Sequence, residues 1–399
     1  MTTAEATGRR LLPRSNFVLP VLAVFYLCRL FSVVLLTIVS RFQTPMGWTG
    51  PHPNYFSMTM MWDANWYREI AELGYPSALP IDAATGVVQQ NAWAFYPAFP
   101  MMARFVMRVT GLGFPVVGPT LALVLGFGAA VVMGLLLRDR VGPKVALAVV
   151  AIFGASPVSP SFQIAYTESL AILLLCGFLW AISKERWILT GGLALLIGLT
   201  RAMALPLAVV ALVALFLRWR RRAQDPITTR EGWSATATLG ACGASGLLWP
   251  AIVAVAVDSP LAYTETMGAW SYGGSDNLLR PWLAYVAEPW NAAKVFLVLA
   301  TIVAMTIGPW AARLGPVLRT WTLAYTGYLI VVDAPMTSLF RHLLPLFPLI
   351  VVAIGAGWRD RPARWMGWRT GFLILVSLAG QVWWVWALLR FVPPSDYPP

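Results

Sequence analysis

The stretch AMALPLAVVALVALFLRWRRR, residues 202–222, sets sixteen uncharged residues against a terminal cluster in which four of five are arginine. An apolar run stopped by a basic cluster is the signature of a helix that crosses a bilayer and ends at its headgroups. About 20 residues are needed, somewhat fewer when the helix is packed among others. Working outward, ten further runs have the same character, giving candidates near 17–40, 117–137, 144–158, 164–182, 187–200, 202–217, 234–257, 292–311, 319–333, 343–357 and 370–390. The composition agrees: 58% apolar residues, 20 Trp and 12% charged residues do not describe a soluble domain of 399 residues. Hydrocarbon offers no partner to backbone amides, so an all-α polytopic membrane protein with about 11 transmembrane helices is expected.

Threading those runs places 19 of the 29 basic residues on one side, accompanied by six acids. By the positive-inside rule that side is the cytoplasm, with the N-terminus on it and the C-terminus opposite. The basic charge is scattered over short turns, which excludes a nucleic-acid surface. Residues 96–110 carry Arg104 and Arg108 at i and i+4 and read as an interfacial amphipathic helix; counted as a span, they would invert everything after them. The first run contains Arg29 and lacks a small-residue cleavage pattern, so it is expected to be a retained anchor. Three cysteines, all inside apolar runs, give neither a disulfide framework nor a metal spacing. Scarce lysine beside abundant arginine and alanine suggests a bacterial source, hence a plasma-membrane location. Nothing divides the chain, which reads as a single domain over 1–399 with large external loops at 41–116 and 258–291. Cytoplasmic connections are too short to build a site, so function is assigned to the external side.

That side, poor in lysine and arginine, collects Asp63, Glu168, Arg201, Arg341 and His342. In Trp62-Asp63-Ala64-Asn65-Trp66-Tyr67-Arg68-Glu69-Ile70-Ala71-Glu72-Leu73-Gly74, helical spacing predicts a short surface helix with Asp63 at its start. Asp63 then serves either as a helix cap or as a catalytic base. Glu168, in Tyr166-Thr167-Glu168-Ser169, has the same two readings, a helix cap or part of a site. Arg201 lies so close to two spans that it needs a partner or a ligand. Arg341 and His342 at a helix start suit a phosphate, with snorkelling to headgroups as the other reading of Arg341. Trp270, Trp282 and further aromatics in loop 258–291 either stack on sugar or form an interfacial belt, and Gly273-Gly274 could be a loop hinge.

Trp62-Asp63-x-x-Trp66-Tyr67-x-x-Ile70-Ala71-x-x-Gly74-Tyr75, then Phe95-Tyr96-Pro97-Ala98-Phe99-Pro100, then Ser156-Pro157 and Tyr166-Thr167-Glu168-Ser169, resembles the PIG-V family of mannosyltransferases, which add the second mannose of GPI anchors and have bacterial relatives. The resemblance implies a GT-C-type architecture and inverting transfer of mannose from a polyprenyl-phosphate mannose to a membrane lipid, glycolipid or other cell-envelope acceptor outside the cytoplasm. It implies Asp63 as the base. Glu168, Tyr67 and Tyr166 are expected beside the acceptor, Arg201, Arg341 and His342 on the donor phosphate, and Trp62, Trp66, Trp270 and Trp282 against sugar. No cofactor is expected, and no metal. The competing readings are a transporter or lipid flippase, whose charges should lie near the bilayer midplane, and a non-catalytic subunit, which would tolerate loss of Asp63.

Overall fold

Uncharged runs become helices almost wherever hydropathy points. A computed structural model describes residues 14–270, 279–394 and 399, and these are all-helical, with two isolated bridges and no strand among them. Gly273 and Gly274 lie outside the described residues. The helices are α1 (Arg14–Ser40), α2 (Tyr55–Met58), α3 (Asp63–Glu72), α4 (Ala98–Thr110), α5 (Phe114–Val141), α6 (Pro143–Ala155), α7 (Glu168–Ser183), α8 (Trp187–Gly198) and α9 (Ala204–Arg220). They continue as α10 (Thr229–Ala256), α11 (Ala262–Trp270), α12 (Arg280–Val286), α13 (Pro289–Ile307), α14 (Gly315–Val332), α15 (Leu339–His342), α16 (Pro348–Ala353) and α17 (Met366–Trp384), which runs on as a π turn, Val385–Leu389.

Five helices are long and apolar enough to cross a membrane: Asn16–Ser40, Phe114–Val141, Thr229–Ala256, Pro289–Ile307 and Met366–Leu389. Pro143–Ala155, Glu168–Ser183 and Trp187–Gly198 are apolar but shorter. The run expected over 343–357 is the most broken. Pro345 and Pro348 lack the amide N–H that a helix interior needs, so a 3₁₀ turn, Leu344–Leu346, precedes only six helical residues.

Helix α5 packs on α6 and α7, α1 lies against α5 and α6, and α10 lies against α8 and α9. Small residues permit the closest approaches. A Cβ built on Gly198 would fall 2.3 Å from the Ser245 carbonyl, so α8 can end against α10 only with glycine there. Thr200 and Arg201 follow at once, and this contact sets where the arginine emerges.

A buried polar knot fixes a second point. Arg29 of α1 donates to the Gly154 carbonyl at 2.5 Å and to Ser159 Oγ at 2.8 Å. Gln381 of α17 donates to the Ala155 carbonyl at 2.9 Å and to Ser159 Oγ at 2.8 Å, while accepting from Ser32 Oγ. Two distant segments, α1 and α17, thus hold the break at Ser156–Pro160, where Pro157 and Pro160 lack helix-forming amides, and so hold the approach to Glu168.

Helix α4 forms as expected and exposes Met102, Phe105 and Val109 as an apolar strip. Arg104, however, folds back to donate to the Ala71 carbonyl at 2.7 Å and the Glu72 carbonyl at 3.2 Å, closing the C-terminal end of α3. No Arg68–Glu72 ion pair forms among the described residues.

Candidate active site

Asp63 is the first residue of α3, and its side chain does not cap the helix. The residue before it, Trp62, has φ 57° and ψ −123°, a left-handed-side backbone that costs a non-glycine residue about 1–3 kcal/mol. The indole holds that conformation: it is buried between Trp48 and Phe391 and donates Nε1 to the Leu389 carbonyl at 2.9 Å. The turn sends the Asp63 carboxylate across the molecule, where Oδ2 accepts from Arg341 Nη2 at 2.8 Å.

Arg341 is buried, which excludes snorkelling. Its Nη1 donates to Glu168 Oε1 at 3.0 Å, its Nε to the Pro399 carbonyl, and its guanidinium lies 4.7 Å from the Tyr166 ring centroid. Glu168, also the first residue of its helix and also not a side-chain cap, accepts on the same Oε1 from Arg201 Nη1 at 3.0 Å. One carboxylate oxygen therefore joins two guanidinium groups, and Glu168 Oε2 is buried without a protein partner. Removing one partner from a buried ion pair costs about 3–5 kcal/mol because the other charge is left uncompensated. Glu168→Gln is accordingly expected to lower stability by about 3 kcal/mol, read as a reduced thermal midpoint of the purified protein; an unchanged midpoint would mean that this carboxylate does not hold the two arginines.

A third acid completes the cluster. Asp333, immediately after α14, hydrogen-bonds His342 Nδ1 through Oδ2. Against a carboxylate, Nδ1 carries the proton, leaving Nε2 for another partner. Burial pushes the His342 imidazole below its ordinary value, although Asp333 pulls the other way. Tyr67 is buried, with its hydroxyl 3.4 Å from Thr167 Oγ1, and burial together with Asp63 and Glu168 raises its phenol far above the ordinary range, so it stays protonated. Asp63, Tyr67, Glu168, Arg201, Arg341, His342 and Asp333 all line one cavity of about 280 Å³. That is just below the ~300–1,000 Å³ usual for small-molecule sites.

Its aromatic wall is made by Phe95, Tyr96, Tyr263, Tyr325 and Tyr328. The Tyr96 and Tyr263 hydroxyls are 3.0 Å apart, and Tyr328 donates to the Ala202 carbonyl. The four tryptophans expected against sugar are elsewhere. Trp62 supports the turn before α3; Trp66 stacks on Phe95 and meets the edge of Trp270, so both back the wall from behind; Trp282 donates Nε1 to the Asp333 carbonyl. Tyr166 also stays out of the cavity, donating to the Met61 carbonyl at 3.1 Å beneath Arg341. Indoles in a belt, in a core and over a ligand share one spacing, and only long-range packing separates them.

Beside the cavity runs a second space of about 440 Å³, largely apolar, bounded by Trp282, Val298, Ile302, Phe340 and Leu343. Leu329 lines both. Among the described residues no group of three or more His, Cys, Asp or Glu is arranged to hold a metal ion. No protein-family model matches the chain, and no curated protein matches it.

Asp333 and the tyrosine wall went unread in the sequence. Asp333 follows the last residue of α14 and lines the same cavity as Asp63 and Glu168, and counting acids at the ends of apolar runs would have found it. Tyr325 and Tyr328, at i and i+3 near that end, carried the matching signal for the wall.

Proposed function

We propose that this protein is an inverting glycosyltransferase of GT-C type, which moves mannose from a polyprenyl-phosphate mannose to a glycolipid or other cell-envelope acceptor on the extracytoplasmic face of a bacterial plasma membrane. In this reading the eleven apolar runs are spans, and the arginine-rich ends of the helices face the cytoplasm. The observation that carries the proposal is the joint placement of Asp63, Glu168, Arg201 and Arg341 around a cavity that adjoins an apolar groove. A lipid-linked sugar needs both: a polar chamber for sugar and phosphate, and an apolar trough for the isoprenoid.

The reaction follows from the charges. The acceptor hydroxyl gives its proton to Asp63 as its oxygen bonds to C1 of the mannose. The bond from C1 to the phosphate oxygen breaks on the opposite face, and polyprenyl phosphate leaves toward the guanidinium groups of Arg201 and Arg341, with His342 beside them. Three carboxylates face two guanidinium groups in this cavity, an imbalance that favours the positive charge developing on an oxocarbenium-like sugar. Glu168 Oε2 is suited to orient the acceptor hydroxyl or a sugar hydroxyl. Mannose as the sugar rests on the resemblance of the WD..WY..IA..GY element alone.

A carrier is less well supported. Its charges belong near the midplane in related halves, whereas Asp63 and Glu168 stand at helix starts and Asp333 follows a helix end. Membranes incubated with radiolabelled polyprenyl-phosphate mannose should give a labelled product in wild type that a deletion strain lacks. Identical product profiles in the two strains would reject the proposal.

A further inference from the structure

Helix α14 has its C-terminal end at the candidate active site, next to Asp333, and its other end in a different cavity. Eighteen residues at 1.5 Å each separate the two by about 27 Å, close to the thickness of a bilayer core. The far cavity is the larger, about 820 Å³. One wall is apolar, formed by Ile307, Pro309 and Leu323; the other carries Arg319, Arg359 and Arg361 with Trp358 and a lone acid, Asp360.

The guanidinium groups there are not engaged by carboxylates. Among the described residues no ion pair joins Arg319, Arg359 or Arg361 to an acid. Arg319 donates Nε and Nη2 to the carbonyls of Thr306 and Ile307, which closes the C-terminal end of α13 and fixes the guanidinium at the cavity lip. Arg361 rests 4.5 Å over the Trp358 ring, which orients it without neutralising it. Arg359 is exposed. Three positive charges against one acid make a site for an anion. Its position selects the anion's source: Ile307 is the last residue of a helix long and apolar enough to cross a membrane, so the lip is at headgroup depth and the apolar wall faces acyl carbons. Trp310 and Trp358, edge to face at 6.0 Å, are rings of the kind that settle at that depth.

The geometry points to a binding site for an anionic glycerophospholipid at the end of the protein opposite the candidate active site, its phosphate held by Arg319, Arg359 and Arg361 and its acyl chain laid along Ile307 and Leu323. A bland reading exists, that these arginines only orient the chain in the membrane; dispersed charge of that kind would not discriminate by position or by cavity shape.

The test uses the full chain, purified in detergent and stripped of lipid, with bound phospholipid counted by native mass spectrometry. Wild type should retain phosphatidylglycerol at least tenfold more tightly than phosphatidylcholine. Arg359→Gln with Arg361→Gln should weaken phosphatidylglycerol retention roughly 30-fold, from the usual worth of two surface arginines against an anionic lipid. The charge-matched pair Arg220→Gln with Arg222→Gln, at another exposed basic turn, should leave it unchanged. Leu323→Trp keeps every charge and narrows the cavity, and should also reduce retention. Equal losses from the two arginine pairs, no preference over phosphatidylcholine, or displacement by glycerol 3-phosphate at equal concentration would each overturn the proposal. None of these readouts depends on glycosyl transfer.

Discussion

Asp63→Asn should lower mannose transfer by about 100- to 10,000-fold, the range associated with removing a general base, while the protein still inserts and folds. Asparagine keeps the size of the side chain and an oxygen that can accept from Arg341 Nη2, which now stands 2.8 Å from Asp63 Oδ2. Asp63 is a quarter exposed, so the ion pair it forms is partly screened and its loss should cost only about 1 kcal/mol. Initial rates with labelled donor, set beside a thermal midpoint, separate the two effects. A rate near wild type would remove the base from the mechanism whatever the midpoint does, and would favour a non-catalytic subunit.

Arg341 should be the least replaceable residue of the site. Its guanidinium bridges Asp63 and Glu168 from separate nitrogens, donates a third bond to Pro399, and lies over Tyr166. Arg341→Met leaves Asp63 without its cation and Glu168 with Arg201 alone, and about 3–5 kcal/mol of stability should go with it. Arg341→Lys is the sharper experiment. It keeps the charge, but an ammonium group cannot present a planar fork to two carboxylates and a phosphate. Transfer should fall by at least about 100-fold, as when a transition-state donor is removed, with a midpoint much nearer to wild type than that of the methionine variant. If lysine supports full activity, charge alone suffices and the bridging geometry is incidental.

These predictions rest on contacts that were unequally legible in the sequence. The uncharged runs follow from composition, because helix formation and hydropathy act on each segment locally. That made the helices and the position of Arg201 at a helix junction readable. Asp63 and Glu168 were readable as acids at helix starts with two readings each, since a cap and a site carboxylate occupy the same position in a helix, and only the family resemblance favoured the site. The distinction comes from Arg341, 278 residues from Asp63 in the chain, and from the backbone of Trp62, which is held by an indole bonded to Leu389. Trp66 and Trp270 show the opposite case: their spacing matched a sugar-stacking surface, yet packing turned them behind Phe95. Asp333 escaped because it sits in a short junction with no motif, and its role depends on His342, nine residues on.

The transferase reading differs most sharply from a carrier in what becomes of the donor. Purified protein reconstituted in liposomes with polyprenyl-phosphate mannose and membrane lipid acceptors permits both fates to be measured at once, by the release of polyprenyl phosphate and by the sidedness of intact donor. Release of polyprenyl phosphate in step with a mannosylated product, both lost in Asp63→Asn, is the predicted result. Donor that crosses the bilayer intact without release, at the same rate in Asp63→Asn as in wild type, would contradict it.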